Sequence, residues 1–141
     1  MKDFFKALEV LLKKLEGIDF ALLGTFNLFL QGIKIEPHDL DLITDNKGIR
    51  KIAGIFRSKI TKNDSYLETE FLVNEAEVHI VSDENNLLRR HFENSIILVE
   101  TNGLEIPCLS LESELSFYQR AGREKDQGKI ELILQKLSEK K

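Results

Sequence analysis

Apolar positions recur at two distinct periods along the chain. Phe4, Phe5, Leu8, Leu11, Leu12 and Leu15 fall at helical spacing, with Asp3 able to cap the helix and Gly17 able to end it. "DFALL" at 19–23 is a short apolar run that reads as a buried strand, and Gly24-Thr25 turns the chain behind it. "FNLFLQG" predicts a short helix, with Thr25 as its N-cap and Gly32 as its stop. Pro37 makes "IKIEPH" a loop, because proline and the residue before it resist helix. "DLDLIT" at 39–44 alternates as a strand does. "IRKIAGIFRSKI" then places Ile49, Ile52, Ala53 and Phe56 at helical spacing. "YLETEFLV" at 66–73 and "AEVHIVS" at 76–82 read as a hairpin joined by Asn74-Glu75. "DENNLLRRHF" is a candidate short helix. "SIILVETNGLEIPCL" gives two strands around Asn102-Gly103, a strong hairpin dipeptide. Two helices follow, "LESELSFYQRAG" capped by Ser110 and "EKDQGKIELILQKLSEKK".

The resulting order is α-β-α-β-α-β-β-α-β-β-α-α. Strands interleaved with helices, together with hairpins, indicate an α/β or α+β sheet with helices packed on it, and the mixed order argues against a doubly wound parallel sheet. No repeat, low-complexity tract or linker marks a second domain. The expectation is one domain over 1–141, with the helices of 110–141 packed on the sheet core.

Composition narrows the function. The 141 residues are 42% hydrophobic, enough for a core, and 31% charged with net charge −4, which argues against general nucleic-acid binding. The single cysteine, Cys108, allows no internal disulfide and fits a reducing compartment. Asp3, Glu9, Lys13 and Lys14 interrupt any signal-like apolar stretch at the start, and no run reaches membrane-spanning length. A cytoplasmic, soluble protein without membrane partners is expected. The wealth of Lys and Glu beside one Cys, one Met and no Trp hints at a thermophilic source.

Two carboxylates stand out. Asp39 and Asp41 sit at i and i+2 of a strand, so both face one way while Leu40 and Leu42 face the other. Side-by-side carboxylates repel unless a cation or water lies between them. A hard divalent ion such as Mg²⁺ takes oxygen ligands and is commonly held by one or two carboxylates plus substrate phosphates. Alone, the pair equally suits the wet face of an edge strand. Upstream, Gly24-Thr25 lies between a strand and a short helix, where a glycine permits close approach of phosphate and a helix start favours anions. Alone, that turn reads as an ordinary turn and N-cap. Together they make sense as a nucleoside-triphosphate site.

"LLGT", thirteen residues, then "DLDL" resembles the nucleotidyltransferase superfamily of the polymerase-beta type. "GREKDQGKIELIL" at 122–134 resembles the C-terminal helix of small minimal and lincosamide-type nucleotidyltransferases, which often carry Arg-x-Lys-Asp before an apolar helical pattern. The resemblance spans residues 18–135. It implies a mixed, mostly antiparallel sheet flanked by helices. It implies transfer of a nucleoside monophosphate from an NTP, with ATP the default, to a hydroxyl acceptor on a small molecule, a protein or a nucleic-acid end. It also implies two Mg²⁺ ions clamped by three carboxylates, of which Asp39 and Asp41 match the first two. Gly24 and Thr25 match the phosphate-contacting turn, and Lys125 the triphosphate contact, with Asp126 anchoring the helix by capping or pairing.

The sequence departs from that pattern at the third carboxylate. "VHIVS" puts His79 in the acidic position, with Glu77 on the same face of the strand. Either Glu77 has taken over, or His79 acts as base or ligand, or the site has lost a metal. Lys129 replaces a later acidic position, and Thr25 a smaller residue. His38 reads as a loop residue, His91 with Arg89 and Arg90 as a solvated basic cluster, Asn27 as a cap, ligand contact or helix surface, and Cys108 as a packed thiol. The alternative to catalysis is an inactive nucleotidyltransferase fold that binds nucleotide or, antitoxin-like, a helical partner protein. A plain α/β domain with the aspartates in open solvent is the third possibility.

Overall fold

The structure, a computed structural model, describes residues 3–63, 66–83 and 96–139. Its elements in chain order are α1 (Phe4–Lys14), β1 (Phe20–Leu23), α2 (Gly24–Leu30), β2 (Leu40–Thr44), α3 (Asn46–Phe56), β3 (Thr61–Lys62), β4 (Tyr66–Val73), β5 (Ala76–Asp83), β6 (Ile96–Thr101), β7 (Leu104–Leu109), α4 (Leu111–Ala121) and, after a 3₁₀ turn at Glu124–Asp126, α5 (Gln127–Glu139). Among the described residues the strands form one seven-stranded sheet in the order β3-β4-β5-β2-β1-β7-β6. The β1–β2, β3–β4, β4–β5 and β6–β7 pairs are antiparallel, while β1–β7 and β2–β5 are parallel. The expected mixed, mostly antiparallel sheet flanked by helices is the observed fold.

Local chemistry explains most boundaries. Asp3 caps α1 by accepting from the Lys6 amide at 3.0 Å, and Ser110 caps α4 by accepting from the Ser113 amide at 3.2 Å. Both hairpins turn on two residues at positive φ, Asn74 (49°) with Glu75 (67°) and Asn102 (50°) with Gly103 (74°), as a turn matched to strand twist requires. One expectation fails, and one element has no forerunner in the sequence pattern. Thr25 does not cap α2, because the helix begins at Gly24 and the Gly24 amide is satisfied from a distant element. The two-residue strand β3 has no pattern of its own and exists only through its pairing with Leu67 and Glu68. The expected helix over "DENNLLRRHF", with Arg89, Arg90 and His91, lies outside the described residues beyond Asp83.

The sheet separates two apolar layers. Leu8 and Leu11 of α1, Ile49 and Ile52 of α3, and Leu22, Leu40, Leu42, Val78, Ile80, Ile106 and Cys108 of the sheet share one core cluster. Ala21, Ile43 and Leu109 form a smaller cluster, with Leu23 and Val81 packed against it. Leu28 and Ile33 join α4 and α5 through Leu111, Tyr118, Ile130 and Ile133. Burial of such side chains stabilises by roughly 1.5–3 kcal/mol each. It also fixes the register that brings Asp41 to one defined place on the sheet. Among the described residues, no helix is long and apolar enough to cross a membrane.

Candidate active site

Three neighbouring strands bring the predicted residues together. Asp41 of β2 stands opposite Leu23 of β1 and beside His79 of β5, while Leu40 and Leu42 are fully buried in the main core. The alternation therefore sorts leucines inward and aspartates outward. Directly after Leu23, Gly24 adopts φ +79°, and a Cβ there would lie 2.5 Å from Asp41 Oδ2. A glycine at this position leaves room for the Asp41 carboxylate and permits the turn.

The Gly24 amide does not point at an open phosphate position. It donates to Glu114 Oε2 of α4 at 2.7 Å, and Asn27 Nδ2 donates to the same oxygen at 3.0 Å and to the Leu109 carbonyl at 2.9 Å. Gln31 Nε2 donates to Asn27 Oδ1 at 2.8 Å, completing a buried polar cluster. Burial pushes the Glu114 carboxyl up to about 7, against the opposing effect of those two hydrogen bonds. The sequence holds a signal for this. Glu114 lies three residues after Leu111 and four before Tyr118, an acid on the apolar stripe of its helix, and all three are buried.

His79 is held by carboxylates on both ring nitrogens. Nε2 lies 2.9 Å from Glu68 Oε2, and Nδ1 lies 3.5 Å from Asp41 Oδ1. The contact with Asp41, followed by that with Glu68, raises its pKa to about 9, although burial opposes the charged form. Both carboxylates thus favour the charged form of the ring. Asp39 is shifted upward by burial and then by the like charge and hydrogen bond of Asp41. Glu68 shares a face with Glu70 on β4, a period-two acidic pair that sequence reading passed over.

A cleft of about 390 Å³ includes Gly24, Thr25, His38, Asp39, Asp41, His79, Tyr118, Arg123 and Lys129 in its walls. Glu77 is exposed and lies outside it, in an adjoining depression with Asp39, Glu70, Phe71, Leu72, Val78 and His79. Lys125 is exposed on the 3₁₀ turn and lines neither. Its neighbours supply the cleft's cations instead. Asp126, fully buried, accepts from Arg123 Nε at 2.7 Å and Lys129 Nζ at 3.4 Å. Asn27 is buried in the Glu114 cluster, and Cys108 is packed in the core with its thiol pushed up to about 12 by burial.

Among the described residues, no group of three or more His, Cys, Asp and Glu side chains has a geometry that could hold a metal ion. The pair Asp39 and Asp41 is a separate matter. The Asp39 carboxyl, raised by burial and by its crowded neighbour Asp41, marks a place short of positive charge, and the oxygen donors suit a hard ion completed by phosphate oxygens.

Comparison with known proteins bears on the family and the fold. A family model for aminoglycoside-2''-adenylyltransferase matches residues 5–133. Among solved structures, a candidate nucleotidyltransferase from Thermotoga maritima is 24% identical, with TM-score 0.71, 100% of this chain and 97% of that one covered. The lincosamide antibiotic adenylyltransferase LnuA with lincomycin bound is 19% identical, with TM-score 0.65 and coverage of 91% and 94%. ANT(2'')-Ia in complex with adenylyl-2''-tobramycin is 12% identical, with TM-score 0.63 and coverage of 97% and 89%. None of the curated proteins matches the chain in sequence. At these identities the solved structures establish the shared fold, and the match across nearly the whole chain makes it a member of the aminoglycoside-2''-adenylyltransferase family.

Proposed function

We propose that the protein, over its whole length as one domain, transfers a nucleoside monophosphate from a nucleoside triphosphate to a hydroxyl of a small-molecule acceptor. The observation that carries this is the placing of Asp39 and Asp41 beside the Gly24 turn in a cleft that also holds Arg123 and Lys129. The acceptor oxygen bonds to the α-phosphorus, the α–β phosphoanhydride bond breaks, and pyrophosphate leaves. The hydroxyl proton passes to a carboxylate, for which Glu77 is placed beside Asp39 in the adjoining depression. His79, held between Asp41 and Glu68, orients the Asp41 carboxylate rather than serving as a base. Thr25 offers a hydroxyl in the cleft wall.

Asp39 and Asp41 would hold one Mg²⁺. When bound, the ion neutralises triphosphate charge and polarises the phosphoryl group under attack. His79 stands where a third carboxylate would serve a second ion, and an imidazole is a poorer ligand for Mg²⁺ than a carboxylate, so we assign one ion rather than two. The depression carrying Glu70, Glu77 and Asp39 favours a cationic acceptor, such as the aminoglycoside seen with ANT(2'')-Ia.

The test is Mg²⁺-dependent binding of ATP and transfer of label from it to an aminoglycoside panel. Asp39→Asn and Asp41→Asn should each lower transfer by roughly a hundredfold or more, as for loss of a charge-stabilising group. If neither change weakens nucleotide binding or transfer, the reading is wrong. The replacement of the third acidic residue by His79 also favours a second reading, a nucleotide-binding module that works beside a helical partner protein without transfer. Retained, Asp39-dependent ATP binding with no pyrophosphate release for any acceptor would select it.

A further inference from the structure

We propose that Arg123 and Lys129, presented together by the buried Asp126, form the subsite for the polyphosphate tail of the nucleotide, and that Lys125 takes no part. This rests on the nucleotide-binding reading above. Three observations carry it. Asp126 is fully buried, and a buried carboxylate needs paired charge and hydrogen bonds. It receives both from Arg123 Nε at 2.7 Å and Lys129 Nζ at 3.4 Å. One negative charge thus faces two positive ones, leaving a unit of positive charge on a wall of the cleft.

Second, both cations are held in place. Lys129 Nζ lies 5.2 Å from the centroid of the buried Tyr118 ring, and its side chain is only 28% exposed. The Arg123 guanidinium binds Asp126 through Nε, which leaves donors of its fork for a second anion. An ordered cation loses less entropy on meeting a phosphate than a free surface lysine does.

Third, the local arithmetic requires cations here. Asp39 and Asp41 line the same cleft, and the whole chain carries net charge −4. A triphosphate entering such surroundings needs positive charge beyond one Mg²⁺. Among the described residues lining the cleft, Arg123 and Lys129 are the permanent cations, whereas Lys125, one turn away in sequence, is exposed and lines no part of it.

The test compares wild type with Arg123→Gln, Lys129→Gln, Lys129→Arg and Lys125→Gln. Each is titrated by calorimetry with inorganic tripolyphosphate, with ATP and with adenosine. Arg123→Gln and Lys129→Gln should weaken tripolyphosphate and ATP about tenfold or more each, as for loss of a charge-assisted bond. Both should leave any adenosine affinity within twofold. Lys129→Arg should keep most of the affinity, which separates charge from packing, and circular dichroism melts check that each variant folds. Lys125→Gln should bind as wild type does. Equal losses in Lys125→Gln, or wild-type affinity in both Arg123→Gln and Lys129→Gln, would overturn the proposal. Wild-type tripolyphosphate binding that depends on Arg123 and Lys129, but without nucleotide transfer, would sink the transferase reading and leave this subsite standing. Transfer unaffected by either change would do the reverse. A wild type that binds neither polyphosphate nor ATP overturns both.

Discussion

Gly24 carries two requirements in one residue. Its φ of +79° disfavours any side chain, and the space a Cβ would need is filled by the Asp41 carboxylate. Gly24→Ala should therefore cost about 1–3 kcal/mol in a urea melt, the typical penalty for a non-glycine residue held in such backbone. It should also displace Asp41 and weaken ATP binding more than the loss of stability explains. A variant with normal stability and affinity would show that the carboxylate moves aside freely. Asp41 in turn meets His79, so that one side chain links the turn, β2 and β5. The pair Asp39 and Asp41 was legible in the sequence because alternation alone puts both on one face. His79 was legible as an oddity, but its charge was not. The charged form is favoured first by Asp41, set beside the ring by a parallel β2–β5 pairing that no local pattern specifies, and then by Glu68 at 2.9 Å.

At the scale of elements, α4 is tied to the β1–α2 turn by Glu114. Glu114 is buried, and its carboxyl is raised from 4.5 to about 7, chiefly by that burial. The folded state thus holds this proton more tightly than the unfolded chain. The contribution to stability is fully present below pH 4.5 and is lost as pH rises through about 7. A Glu114→Gln variant can still accept from Gly24 and Asn27 but does not ionise. Relative to that variant, wild type should lose on the order of 3 kcal/mol between these limits, since each pKa unit is about 1.4 kcal/mol. Urea midpoints of both proteins at a series of pH values measure the difference, and parallel curves would contradict the assignment. Element boundaries show what the chain made readable. Asn102-Gly103 and the alternation of 66–82 announce both hairpins, since turn chemistry and period two are local. The start of α2 was misread because Thr25 has the right chemistry for a cap, yet the donor at that end is satisfied by a residue ninety positions away. The Arg123–Asp126–Lys129 set has plain i, i+3 spacing, but the burial of Asp126 that gives it meaning is a tertiary fact.

On the scale of the whole molecule, β1 is the junction. It pairs antiparallel with β2 and parallel with β7, where Leu22 meets Cys108. Cys108 is fully buried there, with its thiol pushed up to about 12 by burial and then by Glu114, and only a thiolate reacts readily. Native protein should therefore react with a thiol reagent far more slowly than unfolded protein, at a rate that follows denaturant-induced opening. Rapid modification of native protein that leaves secondary structure intact would mean that the β6–β7 hairpin detaches locally. The fold class was readable from the order of elements, because interleaved strands and helices leave few layered solutions. The parallel pairings were not, since nothing local in β7 names β1 as its neighbour.

The bond from the Gly24 amide to Glu114 spans ninety residues, and it sets an order of events during synthesis. The segment that carries Asp39 and Asp41 emerges from the ribosome long before α4 does. Until Glu114 follows, the start of α2 lacks its acceptor and the turn beside Asp41 has no fixed partner. Contacts so distant in sequence form late, after much loop-closure entropy has been lost. A nascent chain can thus assemble sheet pairings around two aspartates before the turn beside them is fixed.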